Sequence, residues 1–315
     1  VILTVTLNPA LDVTYEVAAL RPHATHRVTA VHRRGGGKGV NVARVLTALG
    51  VDARTTGLLG GATGEQVRAD LDRHAVPHDF TPISGETRRT LTVVAEGDAT
   101  LFNEPGPPIT DHEWRAFRTH FRELASAAQV VVLSGSLPPG VPEDAYATLA
   151  TAARTARPTA APLIVLDTGG STLMAALAGR PDVVKPNAAE LAAAVPTAPG
   201  PQAAAEELRA EGAVAVVVSL GPDGLLAVTG EGVWRCRPPR SVRGNPTGAG
   251  DAVVAALSRA LHDHRSTGAH PDRLWPQALA DAVALSAAAV HAPVAGEIDH
   301  DVHARLRART TVERL

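Results

Sequence analysis

The sequence predicts an α/β fold in which a central, mainly parallel sheet carries helices on both faces and a small β-sheet lid covers part of it. Three observations lead there. Short β-branched apolar runs alternate with helical segments, the runs are apolar throughout as in strands buried on both sides, and two segments break the rhythm as paired strands with no helix between them.

Taken in order, "VILTVTL" reads as a first strand entering the fold, without the basic leader of a signal peptide. Residues 12–33 and 88–103 ("RRTLTVVAEGDATLFN") alternate polar and apolar positions and form a small antiparallel layer. That layer is either a lid over a cleft, with a spare apolar face for dimerisation, or a plain edge extension. The runs "AQVVVLSG", "APLIVLD", "PDVVKP" and "AVAVVVSLG" supply further strands, separated by helical stretches such as 143–157 and 203–212, with a surface loop over 195–202. Without a repeat or a long linker, residues 1–315 make one domain. Such sheets bind ligands beyond the carboxyl ends of their strands.

Composition narrows the function. The chain has 315 residues, 45% apolar and 20% charged, with a net charge of -2 and no dense basic block, so it carries no electrostatic footprint for nucleic acid and a small-molecule partner is expected. Cys236 stands alone, which excludes an intrachain disulfide and favours the cytoplasm. No run of about 18 strongly apolar residues suggests a membrane span. The 13 histidines lack metal-ligand spacing, so no structural zinc is expected. Of 30 basic residues only Lys38 and Lys185 are lysines. A lysine offers a compact ammonium that the planar guanidinium cannot imitate at a tight phosphate site.

Both lysines sit in motifs that suit anions. In "NPTGAGD" the small residues Gly248, Ala249 and Gly250 let a phosphate approach the main chain at a helix start, and Asp251 stands where it could take a proton from an attacking hydroxyl. The plainer reading is a glycine turn whose acid complements the helix dipole. "RRGGGKGVNVARVLTALG" repeats the pattern: glycines, then Lys38, then a helix in which Asn41 offers a donor and an acceptor to hydroxyls. It is neither a Walker A loop nor G-x-G-x-x-G. "VVKPNAAEL" ends a strand on Lys185, and Asn187 and Glu190 share a helical face that could hold the waters of a magnesium ion or simply be solvated. "VVVSLGPDG" adds a strand and a glycine turn, while the loose glycines of 57–67 are too irregular for a dinucleotide site. An oxidoreductase is therefore disfavoured, and a non-catalytic sugar-phosphate sensor is disfavoured by Asp251.

In order, "GGGKGVNVAR", "GETR", "NEPGP", "VVLSGSLPPG", "VVKPNAAEL", "VVVSLGPDG" and "NPTGAGDAVV" resemble the PfkB, or ribokinase-like, sugar kinases, over about residues 4 to 297 and most closely the branch of 1-phosphofructokinases and tagatose-6-phosphate kinases. The resemblance implies ATP- and Mg2+-dependent phosphorylation of a sugar hydroxyl, with a β lid that often pairs two subunits. It makes Asp251 the base and the amides of Gly248, Ala249 and Gly250 the anion hole. Asp12 and Asn41 would hold sugar hydroxyls above Gly36, and Lys38, Arg88 and Ser136 the phosphate already on the substrate. Lys185, Asn187 and Glu190 would serve the ATP phosphates and magnesium, with Ser219, Gly221 and Gly224 lining the nucleotide site. Arg27 would reach a partner's substrate phosphate. Pro246 departs from the usual pattern, and the Arg88-Arg89 doublet leaves open which arginine meets the phosphate. The expected reaction is fructose 1-phosphate to fructose 1,6-bisphosphate, with tagatose 6-phosphate and fructose 6-phosphate as alternative acceptors.

Overall fold

The computed structural model describes residues 1–96, 98–239, 242, 244–267, 274–292 and 294–315. Among these the chain runs β1 (Ile2–Thr6), β2 (Ala10–Glu16), β3 (Ala30–Gly36), α1 (Lys38–Ala48), β4 (Ala53–Leu59), α2 (Gly61–Arg73), β5 (Thr81–Pro82), β6 (Arg88–Ala95) and β7 (Asp98–Asn103). There follow α3 (Asp111–Ala125), β8 (Val130–Ser134), α4 (Ala145–Ala156), β9 (Leu163–Asp167), α5 (Gly170–Ala176), β10 (Val183–Val184), α6 (Ala188–Ala194), α7 (Pro201–Ala210) and β11 (Ala215–Ser219). The chain closes with β12 (Leu225–Val228), β13 (Val233–Arg237), α8 (Ala249–Thr267), α9 (Leu274–His291), α10 (His300–Arg307) and β14 (Thr311–Arg314).

The described strands make a 10-stranded sheet, ordered β14-β13-β12-β11-β10-β9-β8-β1-β4-β5, and a 4-stranded lid, ordered β3-β2-β6-β7. In the large sheet β5, β4, β1, β8, β9, β10 and β11 are parallel, and β12, β13 and β14 close one edge antiparallel. The period-2 alternation of a strand divides the core between two layers. Leu3, Val5, Val131, Leu133, Ile164, Leu166, Val216 and Val218 face α3, α4 and α7. Their neighbours Ile2, Val130, Val132, Val165, Ala215 and Val217 face α1, α8 and α9. Because both faces are covered, these strands read as continuous apolar runs, and each fully buried Val or Leu contributes about 1.5–3 kcal/mol. No described helix is long and apolar enough to cross a membrane.

The lid departs from the antiparallel layer the sequence suggested, since its central pair, β2 and β6, is parallel. The cause is topological. β2 follows β1 and β6 follows β5, and those two strands point the same way in the large sheet, so both lid strands leave its carboxyl edge in one direction. The return strands β3 and β7 pair antiparallel to them. One lid face packs Leu11 and Val13 on α1 and α2. On the other, register places Arg34, Asp12, Thr90 and Asn103 in one row.

Candidate active site

Parallel strands end along one edge, so the segments after β1, β8, β9, β10 and β11 meet there, together with the starts of α1, α6 and α8. Gly39 sets α1 against this edge: a Cβ there would lie 2.5 Å from Thr6 Oγ1 and 2.7 Å from Val5 O, so only a bare backbone approaches β1 so closely.

Asp251, in the first turn of α8, is 7% exposed. Asn41 Nδ2, from α1 alongside, donates to its Oδ2 at 2.8 Å. Burial, followed by the charge of Asp167, pushes the Asp251 carboxyl up to about 7 against the opposing pull of Asn41, Lys38 and Lys185. The turn before it is held by geometry. Thr247 N donates to Asn245 Oδ1 at 3.0 Å, and Gly248 adopts φ +84 with Ala295 close against it, so a side chain there would be strained and crowded. Ala249 N donates to Pro246 O at 3.2 Å, whereas the amides of Gly248, Gly250 and Asp251 have no acceptor among the described residues. Unpaired donors at a helix start favour an anion.

The two lysines converge on a residue the sequence reading did not single out. Asp167, 1% exposed at the end of β9, accepts from Lys38 Nζ at 3.2 Å, and Lys185 Nζ lies 3.3 Å from the same oxygen. Lys38 also lies 3.6 Å from Glu190 Oε1. Burial alone would lower the Lys38 ammonium; Asp167, Glu190 and Asp251 outweigh it and raise it, so the side chain is charged. A Cβ on Gly250 would lie 3.5 Å from Lys185 Nζ, which sets this second ammonium against the start of α8.

Lys38, Arg88 and Ser136 line one open cleft of about 810 Å³, with Thr6, Asn8 and Glu104 among its other walls. Arg88 Nε donates to Asn8 O at 3.1 Å and its Nη1 to Glu104 O at 3.2 Å, while Asn8 Nδ2 donates to Ser136 Oγ at 3.2 Å. Arg89 is exposed and outside the cleft lining, so the geometry assigns the cleft to Arg88. Asp12 accepts a short hydrogen bond from Thr90 Oγ1 on the adjacent strand. Its carboxyl is raised by burial against the pull of Thr90 and of Arg88, Arg44 and Arg34. Any side chain on Gly36 would collide with that carboxylate. Arg27 lies in the exposed connection between β2 and β3, away from the cleft lining.

Asn187 and Glu190 form a capping box at the start of α6: Glu190 N donates to Asn187 Oδ1 and Asn187 N to Glu190 Oε2, both at 2.8 Å. This leaves Glu190 Oε1 facing Lys38. Among the described residues no group of three or more His, Cys, Asp or Glu is gathered as a metal cage. The carboxylates of Glu190 and Asp167, which share Lys38 while Asp167 also faces Lys185, are oxygen donors of the kind that suits a hard cation retained through water. Ser219 pairs with Asn187 through an isolated parallel bridge, and a tight turn follows in which Gly221 has φ +59 with open space around it. Gly224 has φ +81 and packs on the backbone of Cys236, which gives it a structural reason to be glycine. Ser219, Gly221 and Gly224 stand outside the cleft lining, along the next loop of the same edge.

An acid that can take a proton near neutrality, beside amides that receive negative charge, is apparatus for phosphoryl transfer to an alcohol; the polar cleft under a small sheet suits a sugar as that alcohol. The class is ATP-dependent sugar kinase. The chain belongs to the pfkB family of carbohydrate kinases, whose profile matches residues 5–300. Phosphofructokinase-2 from Escherichia coli in complex with fructose-6-phosphate is 33% identical, with a TM-score of 0.85 and 98% of each chain covered. Its tetrameric inhibited form is 32% identical, with a TM-score of 0.85 and the same 98% coverage of each chain. A possible 1-phosphofructokinase from Thermotoga maritima is 28% identical, with a TM-score of 0.82 over 100% of this chain and 99% of that one.

The buried acid has a cost that stability measurements read. The folded carboxyl keeps its proton up to about pH 7, whereas an ordinary aspartate releases it near 3.8, so the wild type loses stability as the pH rises through that window. Asp251→Asn removes the loss, and its melting temperature at pH 8 is expected to exceed that of the wild type by at least about 2 °C. The gap should close at pH 4. Equal melting temperatures at pH 8 would contradict the raised carboxyl.

Proposed function

We propose that this chain phosphorylates a fructose monophosphate to fructose 1,6-bisphosphate with ATP and Mg2+, and that fructose 1-phosphate is its acceptor. The reading is carried by one observation: Lys38, Arg88 and Ser136 share a cleft beside Asp251, so a phosphate already on the sugar would have its own cationic seat apart from the transferred one. A second acceptor, fructose 6-phosphate, is favoured by the Escherichia coli relative in complex with that sugar phosphate. Tagatose 6-phosphate remains the third.

In this reading Asp251 accepts the proton of the attacking hydroxyl, and the unpaired amides of Gly248 and Gly250 donate to the oxygens of the transferring group. Ala249 contributes its amide only by giving up Pro246 O. Asp12 and Asn41 orient the sugar hydroxyls, and Gly36 gives the sugar a floor. Lys185 neutralises nucleotide phosphate, and Ser219, Gly221 and Gly224 line the nucleotide's seat. Asn187 and Glu190 would hold magnesium through water, where it supplies positive charge. That charge is needed because Asp167, Glu190 and ionised Asp251 outnumber the two ammoniums. The reading includes a homodimer through the lid, supported by exposed apolar side chains on both its faces: Leu101, 55% exposed, on the face of Asp12, and Phe102 and Val31, 54% and 42% exposed, on the other.

Three measurements check it. With ATP and Mg2+, coupled ADP release is expected to be fastest with fructose 1-phosphate; exclusive turnover of unphosphorylated sugars would reject the phosphate seat. Asp251→Asn should lose at least about 100-fold in kcat with little change in KM, and wild-type kcat/KM should fall about tenfold per pH unit below pH 7. A flat profile from pH 5 to 8 would remove the base. The double variant Leu101→Glu, Phe102→Glu should sediment as a monomer, and an unchanged dimer would exclude the lid as the interface.

A further inference from the structure

Arg44 and Asp70 are 4% and 2% exposed and form an ion pair between α1 and α2 that no step above uses. Asp70 Oδ1 also accepts from the exposed Arg73 Nη2 at 3.0 Å, with His74 Nδ1 3.4 Å away; on the backbone the pair holds one residue, Gly35. Asp70 Oδ2 accepts from Gly35 N at 2.8 Å, and Arg44 Nη2 donates to Gly35 O at 3.0 Å as well as to Asp70. Gly35 is where β3 leaves the lid for the glycine turn, so both polar groups of the residue entering that turn are fixed by buried charges. The turn tolerates no slack, because Gly36 lies against the Asp12 carboxylate and Gly37 holds φ +111 just ahead of Lys38.

The stem of the same arginine touches the other half of the site. A Cβ on Gly296 would lie 2.9 Å from Arg44 Cδ and 3.3 Å from Asn41 Oδ1. A Cβ on Gly248 would in turn lie 3.0 Å from Ala295 Cα and 3.3 Å from Gly296 N. Arg44 therefore stands between the turn under the sugar and the loop that backs the anion hole. One helical turn before it, Asn41 holds Asp251. A further tie, Arg34 Nη1 to Glu297 Oε1 at 2.6 Å, fastens the lid strand to the same loop.

Stability alone does not account for the arrangement. Among the described residues Arg44 Nε is buried without a partner, and a buried pair with such an N–H is commonly no more stable than apolar side chains of the same volume. An apolar pair, however, would leave both backbone polar groups of Gly35 without these partners and the turn free to shift. We infer that Arg44, oriented by Asp70, is a positioning residue for phosphoryl transfer: it keeps the Gly35–Gly37 turn and the Gly296 loop in register, so that the sugar hydroxyl meets Asp251 in line with the anion hole. The inference rests on the reading of Asp251 and the cleft given above.

Arg44→Met keeps the stem and removes the fork; Asp70→Asn keeps an acceptor for Gly35 N and removes the charge that aims Arg44. Each is expected to lower kcat, on whichever of fructose 1-phosphate or fructose 6-phosphate the wild type uses, by about 100-fold, the scale of an ångström of misplacement. KM for ATP should stay within about twofold, since the nucleotide loops are untouched. In the free proteins, amide exchange should quicken at residues 35–41 and not in the β8–β11 strands. Exchange needs no substrate, so it tests the tie even if the wild type turns over neither sugar phosphate, an outcome that would defeat the site reading instead. Should Arg44→Met fail to fold, Asp70→Asn and Arg44→Lys decide. Wild-type kcat with unchanged exchange at 35–41 in the folded variants would overturn the proposal.

Discussion

The structure turns on a carboxyl group buried where a helix begins. Water would solvate the ionised form of Asp251 better than the protein does, so burial alone favours the proton. One amide hydrogen bond from Asn41 and two ammoniums pull the other way, and the balance settles near neutrality. An exposed aspartate would be too weak a base for a sugar alcohol at pH 7, and one without those partners would stay protonated. The fold must therefore bring α1 and α8 together on one face of the sheet and keep both lysines on the carboxyl side of β9 and β10.

Asp167 ties the two lysines to each other. A single buried oxygen faces both ammoniums, so in the proposed function the sugar side and the nucleotide side would share a counter-charge. In that reading, negative charge arriving on either side would draw one ammonium from that oxygen and leave Asp167 more dependent on the other. The parallel sheet makes this geometry inexpensive, because strands β8 to β11 deliver Ser136, Asp167, Lys185 and Ser219 to one edge without further folding of the chain.

Much of this was legible in the sequence, and the exceptions have physical reasons. Continuous apolar runs announced strands covered on both faces, and the glycine turns before α1 and α8 marked backbone that something approaches. The rarity of lysine drew attention to Lys38 and Lys185, though not to their shared partner. Asp167 ends "LIVLD" with no glycine-lysine pattern around it; the available signal was a lone charge closing a buried strand. The parallel β2–β6 pairing follows from the direction in which two distant strands leave the large sheet, which local alternation cannot express. Arg44 was hidden for a similar reason: on α1 it looks like a surface cation, and only the approach of α2 buries it against Asp70. Gly224, read as a glycine of the nucleotide site, also lies so close to the backbone of Cys236 that a side chain there would collide with it.

The most direct test of the central claim is a titration of the Asp251 carboxyl in the free protein by carbon-13 NMR, assigned by its loss in Asp251→Asn. A midpoint of about 7 is expected, as burial beside Asp167 dictates. A midpoint near 3.8, the ordinary aspartate value, would mean that the acid is solvated, and the account of the site would fail with it.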